Sequence, residues 1–217
     1  MTSVGPDLGH EAPHHAAGRV VAGLDEVGRG AWAGPLTVGA VVLDPAAVPA
    51  GLRDSKRLTP ARRRVLADHL AIHAQVGIGE VAHTELDEIG LAAALRLAAR
   101  RAVAALPRTP DVVLIDGTVD LLVGTGTRTE LVIGGDDRSV SIAAASIAAK
   151  VHRDAGMVAA APRHGAYAFD RNKGYPSAEH RDALARLGPC ALHRRSFAPI
   201  RALLGATQLD LTLTSSR

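Results

Sequence analysis

Cysteine and aromatic residues are scarce in this sequence. Among 217 residues there is one cysteine, and Phe, Trp and Tyr together make up 2%. The single cysteine, Cys190, excludes a framework of internal disulfides and is typical of a reducing compartment. The shortage of aromatic rings predicts helices that pack closely through small side chains, and it makes each aromatic residue a candidate for a specific role.

Long apolar runs are missing as well. No stretch reaches the roughly 18 consecutive apolar residues of a membrane-spanning helix. The N-terminus has no basic segment followed by an apolar core, so we recognise no secretory signal. We therefore expect a cytoplasmic protein that has no membrane partner.

The remaining composition is that of a globular chain. Hydrophobic residues make up 47%, and the net charge is +3, which is compatible with nucleic acid but too small to predict it. Residues 1–18 are rich in Gly, Pro and His, and we expect a disordered leader. Residues 19–205 are expected to form a single α/β domain, and residues 206–217 a loose tail.

The central motif follows the first predicted strand. Residues 20–24 are apolar and lead into Asp25 and Glu26, then Gly28-Arg29-Gly30, and a second apolar run covers Leu36–Leu43. This order predicts a hairpin with charge at its end. Buried carboxylates are costly unless they are paired or bind a metal. The two acids therefore predict a bound cation. The nearby Arg29 predicts that a phosphate binds beside it.

Two further acids end predicted strands. Asp116 follows the buried run 112–115, although an Asp-Gly pair is also a common turn. Asp136 follows the strand 130–133, and Asp137 is an alternative for the same role. The order of elements predicts a mixed sheet flanked by helices.

If the strand ends converge, four carboxylates surround one or two divalent cations. Oxygen ligands select Mg²⁺ or Mn²⁺, and such a site suits phosphodiester hydrolysis. Adjacent strand residues point to opposite faces, however. Asp25 and Glu26 both serve only if the strand twists or ends there, or if a main-chain carbonyl takes part.

Other candidates lie in loops and on the long helix predicted over Ser139–Val158. Lys56 precedes a helix that Thr59 caps, where it can reach a phosphate. Ser146 and Lys150 are four residues apart and share a helix face; Lys150 can equally form a helix salt bridge with Asp154, worth roughly 0.3–0.5 kcal/mol. Tyr175 lies close to the basic residues Arg171 and Lys173, which favours a role in binding substrate.

Six motifs in this order resemble ribonuclease HII over about residues 19–205. They are Asp25-Glu26-Val27-Gly28-Arg29-Gly30, Asp54-Ser55-Lys56, Leu114-Ile115-Asp116-Gly117, residues 144–154, Lys173-Gly174-Tyr175-Pro176 and His193-Arg194-Arg195-Ser196-Phe197. The resemblance implies a ribonuclease H-like fold with a C-terminal helical extension. It implies hydrolysis of the RNA strand of RNA–DNA hybrids, and cutting 5′ to a single ribonucleotide in duplex DNA to give 3′-hydroxyl and 5′-phosphate ends. This activity would serve ribonucleotide removal during DNA replication and repair.

The resemblance also assigns residues. Four acids match the catalytic and metal-binding set for Mn²⁺ or Mg²⁺: Asp25, Glu26, Asp116 and Asp136. The predicted substrate contacts are Gly28, Arg29, Gly30, Lys56, Ser146, Lys150 and Tyr175. The Gly-Arg-Gly loop would contact the 2′-hydroxyl, which distinguishes RNA from DNA, and Tyr175 would lie at the RNA-to-DNA junction.

The sequence differs from the family at one motif, and it leaves one protein partner to consider. The family commonly has Lys-Gly-Asp where this chain has Gly134-Gly135-Asp136, so a positive charge near the fourth acid is missing. The tail segment 208–211 lacks the aromatic pair of a sliding-clamp motif. A clamp interaction is therefore not supported by the sequence. Separately, we expect the protein to be a monomer.

Three rival functions are weighed against this one. A ribonuclease H that cuts only long hybrids would not need Tyr175 and the Gly-Arg-Gly loop. A non-catalytic nucleic-acid-binding domain would not need four acids, which repel phosphate without a metal. A phosphatase for small molecules would not need the basic loops at Lys56, Lys173 and Arg194.

Overall fold

The structure is a computed structural model that describes residues 5–205. Its strands are β1 (Val21–Val27), β2 (Leu36–Leu43), β3 (Ala74–Val81), β4 (Val112–Asp116) and β5 (Arg128–Val132). Its helices are α1 (Ala12–Ala16), α2 (Pro60–His73), α3 (His83–Ile89), α4 (Leu91–Ala104), α5 (Val140–Ala160), α6 (Phe169–Asn172), α7 (Ala178–Leu187) and α8 (198–205).

The strands form a mixed sheet in the order β3-β2-β1-β4-β5. β1 is antiparallel to β2 and parallel to β4, and β4 is parallel to β5. The predicted mixed α/β sheet is confirmed, and so is the pairing of β1 with β2. Residues 28–35 connect these two strands, so the connection is longer than a tight turn.

Local signals set several helix boundaries as the sequence predicts. The Thr59 side chain accepts a hydrogen bond from the main-chain N–H of Arg62 at 3.3 Å, and Pro60 occupies the first turn of α2. The Ser177 side chain accepts from the N–H of His180 at 3.1 Å and caps α7. Both caps satisfy N–H groups that have no partner inside the helix.

Glycines bring helices close to the sheet. A Cβ at Gly23 would lie 2.1 Å from the Ser141 carbonyl carbon of α5, and one at Gly39 would lie 2.5 Å from the Ala145 oxygen. Any larger residue at these positions would push α5 away from the strands. The expected close packing through small residues is therefore found, and it holds the helix against β1 and β2.

The chain divides into two compact units. The first comprises residues 5–27, 37–80 and 95–152 among those described, and the second 28–36, 81–94 and 153–205. The first unit contains an apolar cluster between β2, α2 and α5, with Leu70 and Ile147 fully buried. The second has its own cluster around Phe169, which the sequence analysis did not predict.

The N-terminal segment departs from the disordered leader predicted for residues 1–18. In residues 5–18 the chain forms α1, and the Glu11 side chain is 1% exposed. Its Oε1 accepts hydrogen bonds from the Ser139 hydroxyl at 2.5 Å and from the Ser141 hydroxyl at 2.6 Å. The prediction is wrong for these residues because their partners lie more than a hundred positions away in the sequence.

Two segments after α5 belong to the second unit. A 3-10 helix (Ala161–Tyr167) is followed by α6. The basic segment 193–197 is partly buried, since His193 and Arg194 are 1% and 0% exposed. The helical C-terminal extension is confirmed by α7 and α8. The predicted loose tail, 206–217, lies outside the described residues.

Within residues 5–205, none of the helices combines the length and the apolar character needed to cross a membrane.

Candidate active site

Asp25 lies in β1 as a buried acid. Its side chain is 6% exposed, and its Oδ1 accepts a hydrogen bond from the main-chain N–H of Glu26 at 2.8 Å. Burial raises the pKa of Asp25 to about 8, helped by the negative charges of Glu26, Asp116 and Asp136 and opposed by a hydrogen bond from Ser146. The charges of Glu26, Asp116 and Asp136 therefore all favour the protonated form of Asp25.

Asp116 and Asp136 belong to neighbouring segments of the same unit. Asp116 ends β4, and its Oδ1 accepts a hydrogen bond from the Gly135 N–H at 2.7 Å. Asp136 follows in the 3-10 turn Gly135–Asp137. Burial raises the pKa of Asp136, with further contributions from Asp116 and Asp54. The Gly135 hydrogen bond thus links the end of β4 to the turn that carries the fourth acid.

Asp137, the alternative fourth acid, has different partners. Arg57 donates to both of its carboxylate oxygens, at 3.0 and 3.1 Å. The Asp136 side chain is 13% exposed, whereas that of Asp137 is 39% exposed. The charge of Asp136 therefore acts directly on Asp25, whereas Asp137 is paired with Arg57 and its charge acts on Asp136.

Lys56 supplies a positive charge beside these acids. Its Nζ lies 3.8 Å from Asp136 Oδ2 and 3.9 Å from Asp54 Oδ1. Burial opposes its charge, but the carboxylates of Asp54, Asp136, Asp25 and Asp116 outweigh burial and raise the pKa of Lys56. The expectation that no positive charge lies near the fourth acid is therefore wrong, because Lys56 is distant in sequence from Gly134 and near in space.

Glu26 lies within β1 and not at its end, because the strand continues to Val27. Asp25 pairs with Gly39 of β2 and Glu26 with Val38, so the two side chains leave opposite faces of the sheet. Of the alternatives left open, an end of the strand at Glu26 is excluded. A twist of the strand, or the Glu26 carbonyl as a ligand, remains compatible with this register.

The acids fit a divalent cation in chemistry and in charge. Within residues 5–205, no three Asp, Glu, His or Cys side chains are already arranged to hold a metal ion. Asp25 nevertheless has a raised pKa, first because it is buried and second because neighbouring carboxylates repel its ionised form. A dication would convert that repulsion into attraction, and a site of oxygen ligands selects Mg²⁺ or Mn²⁺. Asp25, Asp116 and Asp136 are the residues that would hold it, with Glu26 through its side chain or carbonyl.

Ser146 and Lys150 lie on α5 in the first unit. Ser146 is 4% exposed, and its hydroxyl lies 2.9 Å from the Ser55 hydroxyl. Since Ser146 also hydrogen-bonds Asp25, it links that acid to the segment carrying Lys56. Lys150, one turn further along α5, is half-buried.

The second unit contains the Gly-Arg-Gly segment and Tyr175. The main-chain N–H of Gly28 donates to the Tyr175 hydroxyl at 3.0 Å. Gly28 has φ +86°, and a Cβ there would lie 2.3 Å from Arg153 Nε, so this position requires glycine. Arg29 is exposed, and the Cβ position of Gly30 faces open space. The structure therefore brings together Gly28 and Tyr175, which are 147 residues apart.

Two buried arginines hold this segment. Sequence patterns assigned no individual role to Arg153 and placed Arg194 only in a basic loop. Arg153 donates to the carbonyl oxygens of Pro35 at 2.8 Å, Ala33 at 3.0 Å and Lys173 at 2.9 Å. Its guanidinium also lies over the Tyr175 ring, 5.3 Å from the centroid.

The second of these arginines, Arg194, approaches the same loop. It donates to the carbonyls of Gly34 at 3.0 Å, Pro35 at 2.8 Å and Arg29 at 3.3 Å. Burial, together with the charge of Arg153, lowers its pKa to about 9. Nothing in the local sequence separates these arginines from surface ones, although Arg153 and Arg194 both fall inside the motifs that carry the family resemblance.

Comparison with known proteins gives one consistent family. Residues 22–200 match the protein-family model described as ribonuclease HII. The chain is 49% identical over 199 residues to ribonuclease HII of Parvibaculum lavamentivorans, covering 92% of this chain and 74% of that protein. It is 52% identical over 200 residues to ribonuclease HII of Ruegeria pomeroyi, covering 92% of this chain and 85% of that protein.

Solved structures show the same fold. The RNase HII of a PCNA:RNase HII complex from Archaeoglobus fulgidus is 26% identical, with a TM-score of 0.70, covering 81% of this chain and 93% of that one. Bst-RNase HIII in complex with Mn²⁺ is 19% identical, with a TM-score of 0.65, covering 87% of this chain and 70% of that one. The predicted ribonuclease H-like fold is confirmed.

Proposed function

The chain belongs to the ribonuclease HII family and is a ribonuclease H nuclease, and from this premise we propose its substrate and its site. It hydrolyses the RNA strand of RNA–DNA hybrids and cuts 5′ to single ribonucleotides embedded in duplex DNA. The products carry 3′-hydroxyl and 5′-phosphate ends, as ribonucleotide removal in replication and repair requires. The cofactor is Mn²⁺ or Mg²⁺.

One observation carries the chemical part of this proposal. Asp25 is buried, and the charges of Glu26, Asp116 and Asp136 all raise its pKa. A folded protein keeps such a destabilising group of carboxylates where a cation offsets their repulsion. When bound, the metal supplies an activated water and stabilises the leaving oxygen.

The chain's own residues hold and orient the reactants. The Gly135 N–H fixes the carboxylate of Asp116, and Ser146 together with the Glu26 N–H fixes that of Asp25. Lys56 and Lys150 offer positive charge to the substrate's phosphates, and Ser146 completes the predicted contacts. These roles require a phosphate-rich polymer and not a small phosphate ester.

Recognition of the ribonucleotide rests on the second unit. Glycine lets the main chain approach a sugar closely, and the 2′-hydroxyl both donates and accepts hydrogen bonds. Gly28, Arg29 and Gly30 contact that hydroxyl, and Tyr175 packs at the junction between RNA and DNA. The Gly28–Tyr175 hydrogen bond supports this role because it holds both groups in one arrangement.

The proposal is tested with three duplexes. One contains a single ribonucleotide in DNA, one is a uniform RNA–DNA hybrid, and one is all DNA; each is assayed in Mg²⁺ and in Mn²⁺. We expect the first two to be cut and the third to survive. Cleavage of the uniform hybrid alone would identify the rival ribonuclease H of long hybrids, and no cleavage of either would reject the proposal.

Two variants separate the candidate acids. Asp136→Asn is expected to lose cleavage by a factor of about 100 or more, whereas the matched control Asp137→Asn keeps it within roughly threefold, because Arg57 already neutralises Asp137. The reverse ranking would transfer the fourth position to Asp137.

Tyr175→Ala tests recognition. We expect a larger loss on the single-ribonucleotide duplex, about tenfold or more, than on the uniform hybrid, since stacking contacts contribute about 1–3 kcal/mol. Equal losses on both duplexes would contradict the junction role.

Location and partners extend the same proposal. The enzyme acts in the cytoplasm, as a monomer, on hybrids and on ribonucleotide-containing duplex DNA. The Archaeoglobus relative is found with PCNA. The tail segment 208–211 lies outside the described residues, so the absence of a clamp interaction stays a prediction from the sequence.

A further inference from the structure

Two buried histidines in the second unit form a chain of hydrogen bonds. His180 Nδ1 lies 2.9 Å from the Tyr175 carbonyl oxygen, and His180 Nε2 lies 2.9 Å from His193 Nε2. His193 Nδ1 lies 2.9 Å from the main-chain N of Cys190 and 3.3 Å from the Cys190 carbonyl oxygen. Three contacts thus connect Cys190 to Tyr175 through both imidazoles.

The chemistry of the end groups fixes the direction of every bond. A carbonyl only accepts, so Nδ1 of His180 carries the hydrogen and Nε2 of neutral His180 accepts. Nε2 of His193 must therefore donate, which leaves its Nδ1 to accept from the Cys190 N–H at 2.9 Å; with this tautomer the longer approach of Nδ1 to the Cys190 carbonyl, at 3.3 Å, is not a hydrogen bond. One tautomer of each ring satisfies all three contacts, and each ring is neutral.

Burial favours this neutral state. His180 and His193 are 0% and 1% exposed, and burial lowers the pKa of both, that of His193 to about 4. Protonation of His180 would set its Nε2–H against the Nε2–H of His193 at 2.9 Å, and protonation of His193 would set its Nδ1–H against the Cys190 N–H, also at 2.9 Å. The surrounding rings of Trp32, Tyr167 and Phe169 keep the pair in place.

The chain of bonds ends on the tyrosine that the proposed function places at the junction. The Tyr175 carbonyl also accepts from the Ser177 N–H at 2.8 Å, so two donors fix its direction. The preceding residues Lys173 and Gly174 have φ of +54° and +82°, a conformation that a non-glycine residue rarely adopts without support. The Tyr175 hydroxyl in turn accepts from Gly28.

We propose that His180 and His193 are positioning residues that orient Tyr175, and so set the preference for a single ribonucleotide over a uniform hybrid. The proposal rests on the proposed function, since it deepens the role given there to Tyr175. Neither histidine touches substrate. Each acts through its tautomer, His180 by donating to the Tyr175 carbonyl and His193 by fixing which nitrogen of His180 is free to donate.

Asparagine and glutamine separate the two nitrogens of a histidine. The Asn amide nitrogen occupies about the place of Nδ1, and the Gln amide group about that of Nε2. His180→Asn therefore keeps the donor to Tyr175, whereas His180→Gln loses it. At position 193 the order reverses, because His193→Gln keeps the donor to His180 and His193→Asn does not.

The measurement is kcat/KM on the single-ribonucleotide duplex and on the uniform hybrid, for the parent and all four variants. We expect His180→Gln and His193→Asn to lose about 3–10-fold on the single-ribonucleotide duplex, the equivalent of one hydrogen bond, and less than about twofold on the hybrid. His180→Asn and His193→Gln should stay within about twofold of the parent on both. Cleavage of the hybrid reports in the same preparation that each variant is folded.

Each alternative outcome is decisive. A purely structural role would rank Asn and Gln in the same order at both positions, and that result would overturn the proposal. Equal losses on both duplexes would overturn it as well. If the parent protein does not cut the single-ribonucleotide duplex, the proposed function is rejected, and the role inferred for His180 and His193 is rejected as a consequence. Nitrogen NMR of the imidazoles supplies the second check, because a protonated Nδ1 on His193 would contradict the assigned tautomers.

Discussion

At the scale of the residue, the surroundings of a carboxylate separate chemistry from structure. Asp25 and Asp137 have the same side chain, but burial and neighbouring acids raise the pKa of Asp25 to about 8, whereas two hydrogen bonds from Arg57 hold Asp137. A carboxylate with an arginine partner is already neutralised. A buried one among like charges is ready for a cation.

This difference predicts how stability depends on pH. In metal-free buffer the folded state keeps a proton on Asp25 that the unfolded chain releases above about pH 4, so the stability gained from that proton is lost as pH rises towards about 8. Asp25→Asn has no carboxylate to ionise, so this variant does not lose stability in this way as the pH rises. We expect the free energy of unfolding of this variant, relative to the parent, to increase from pH 5 to pH 9 while cleavage is abolished.

Urea unfolding at pH 5, 7 and 9 in the presence of a chelator measures this dependence, with Asp137→Asn as the matched control. A difference between Asp25→Asn and the parent that stays constant across this range would show that Asp25 has no raised pKa. Cleavage by Asp25→Asn at saturating metal would remove Asp25 from the site.

Two arginines of the second unit are buried, and main-chain carbonyls accept their hydrogen bonds. Arg153 and Arg194 are 1% and 0% exposed and lie near enough for the charge of one to lower the pKa of the other. Two buried like charges are costly. All but one of their hydrogen bonds go to main-chain carbonyls of residues 29–35, which fixes the shape of the loop next to Gly28; the remaining one, from Arg153, goes to the Lys173 carbonyl.

At the scale of the element, the N-terminal segment acts as a cap for α5. Glu11 Oε1 accepts from the Ser141 N–H at 3.0 Å as well as from two serine hydroxyls. A carboxylate at a helix N-terminus satisfies free N–H groups and interacts favourably with the helix dipole. Since α5 carries Ser146 and Lys150, the cap supports the helix on which part of the candidate site lies.

Glu11→Ala is therefore expected to destabilise the protein by about 2–4 kcal/mol, because three buried donors lose their acceptor. Glu11→Gln keeps an acceptor oxygen and should recover a substantial part of the loss. Denaturant unfolding measures both. If Glu11→Ala were as stable as the parent, the segment would contribute nothing, as the interpretation of a disordered leader implies.

At the scale of the whole molecule, cation binding and stability are linked. A ligand that binds only the folded state stabilises it, by about 2.7 kcal/mol at a concentration 100 times its Kd. For a chain of this size that corresponds to an increase of about 5–10 °C in Tm. We expect Mg²⁺ or Mn²⁺ to raise the Tm of the parent and a chelator to reverse the increase.

The variants identify where the ion acts. Asp25→Asn should lose most of the increase, and Asp137→Asn should keep it, because only the first residue belongs to the proposed ligand set. An equal increase in the parent and in Asp25→Asn would indicate that the metal stabilises the protein from elsewhere.

The division into two units also belongs to this scale. The acids lie in the first unit, and the Gly-Arg-Gly segment with Tyr175 lies in the second. Along the chain, Glu26 and Gly28 are separated only by Val27. The proposed chemistry and the proposed recognition of ribose are thus assigned to residues that are close neighbours in the sequence but belong to different units.

Features that depend on near neighbours can be predicted from the amino-acid sequence alone. The strands β1 and β2, the caps at Thr59 and Ser177, and the acid at the end of β4 follow from apolar periodicity and from side chains within four residues. The family followed from six motifs in order. These signals are local, so a one-dimensional pattern is enough to reveal them.

Features whose partners are distant in sequence become visible once the chain is folded. Glu11 is ordered by Ser139 and Ser141, and Lys56 provides the charge beside Asp136. The resemblance favours Asp136 as the fourth acid and leaves Asp137 as an alternative, and only the structure shows that Arg57 pairs with Asp137. The pKa and the hydrogen-bond partners of a polar side chain depend on the groups that surround it in the folded protein. Burial and hydrogen bonding are set by distance in space and not by position along the chain.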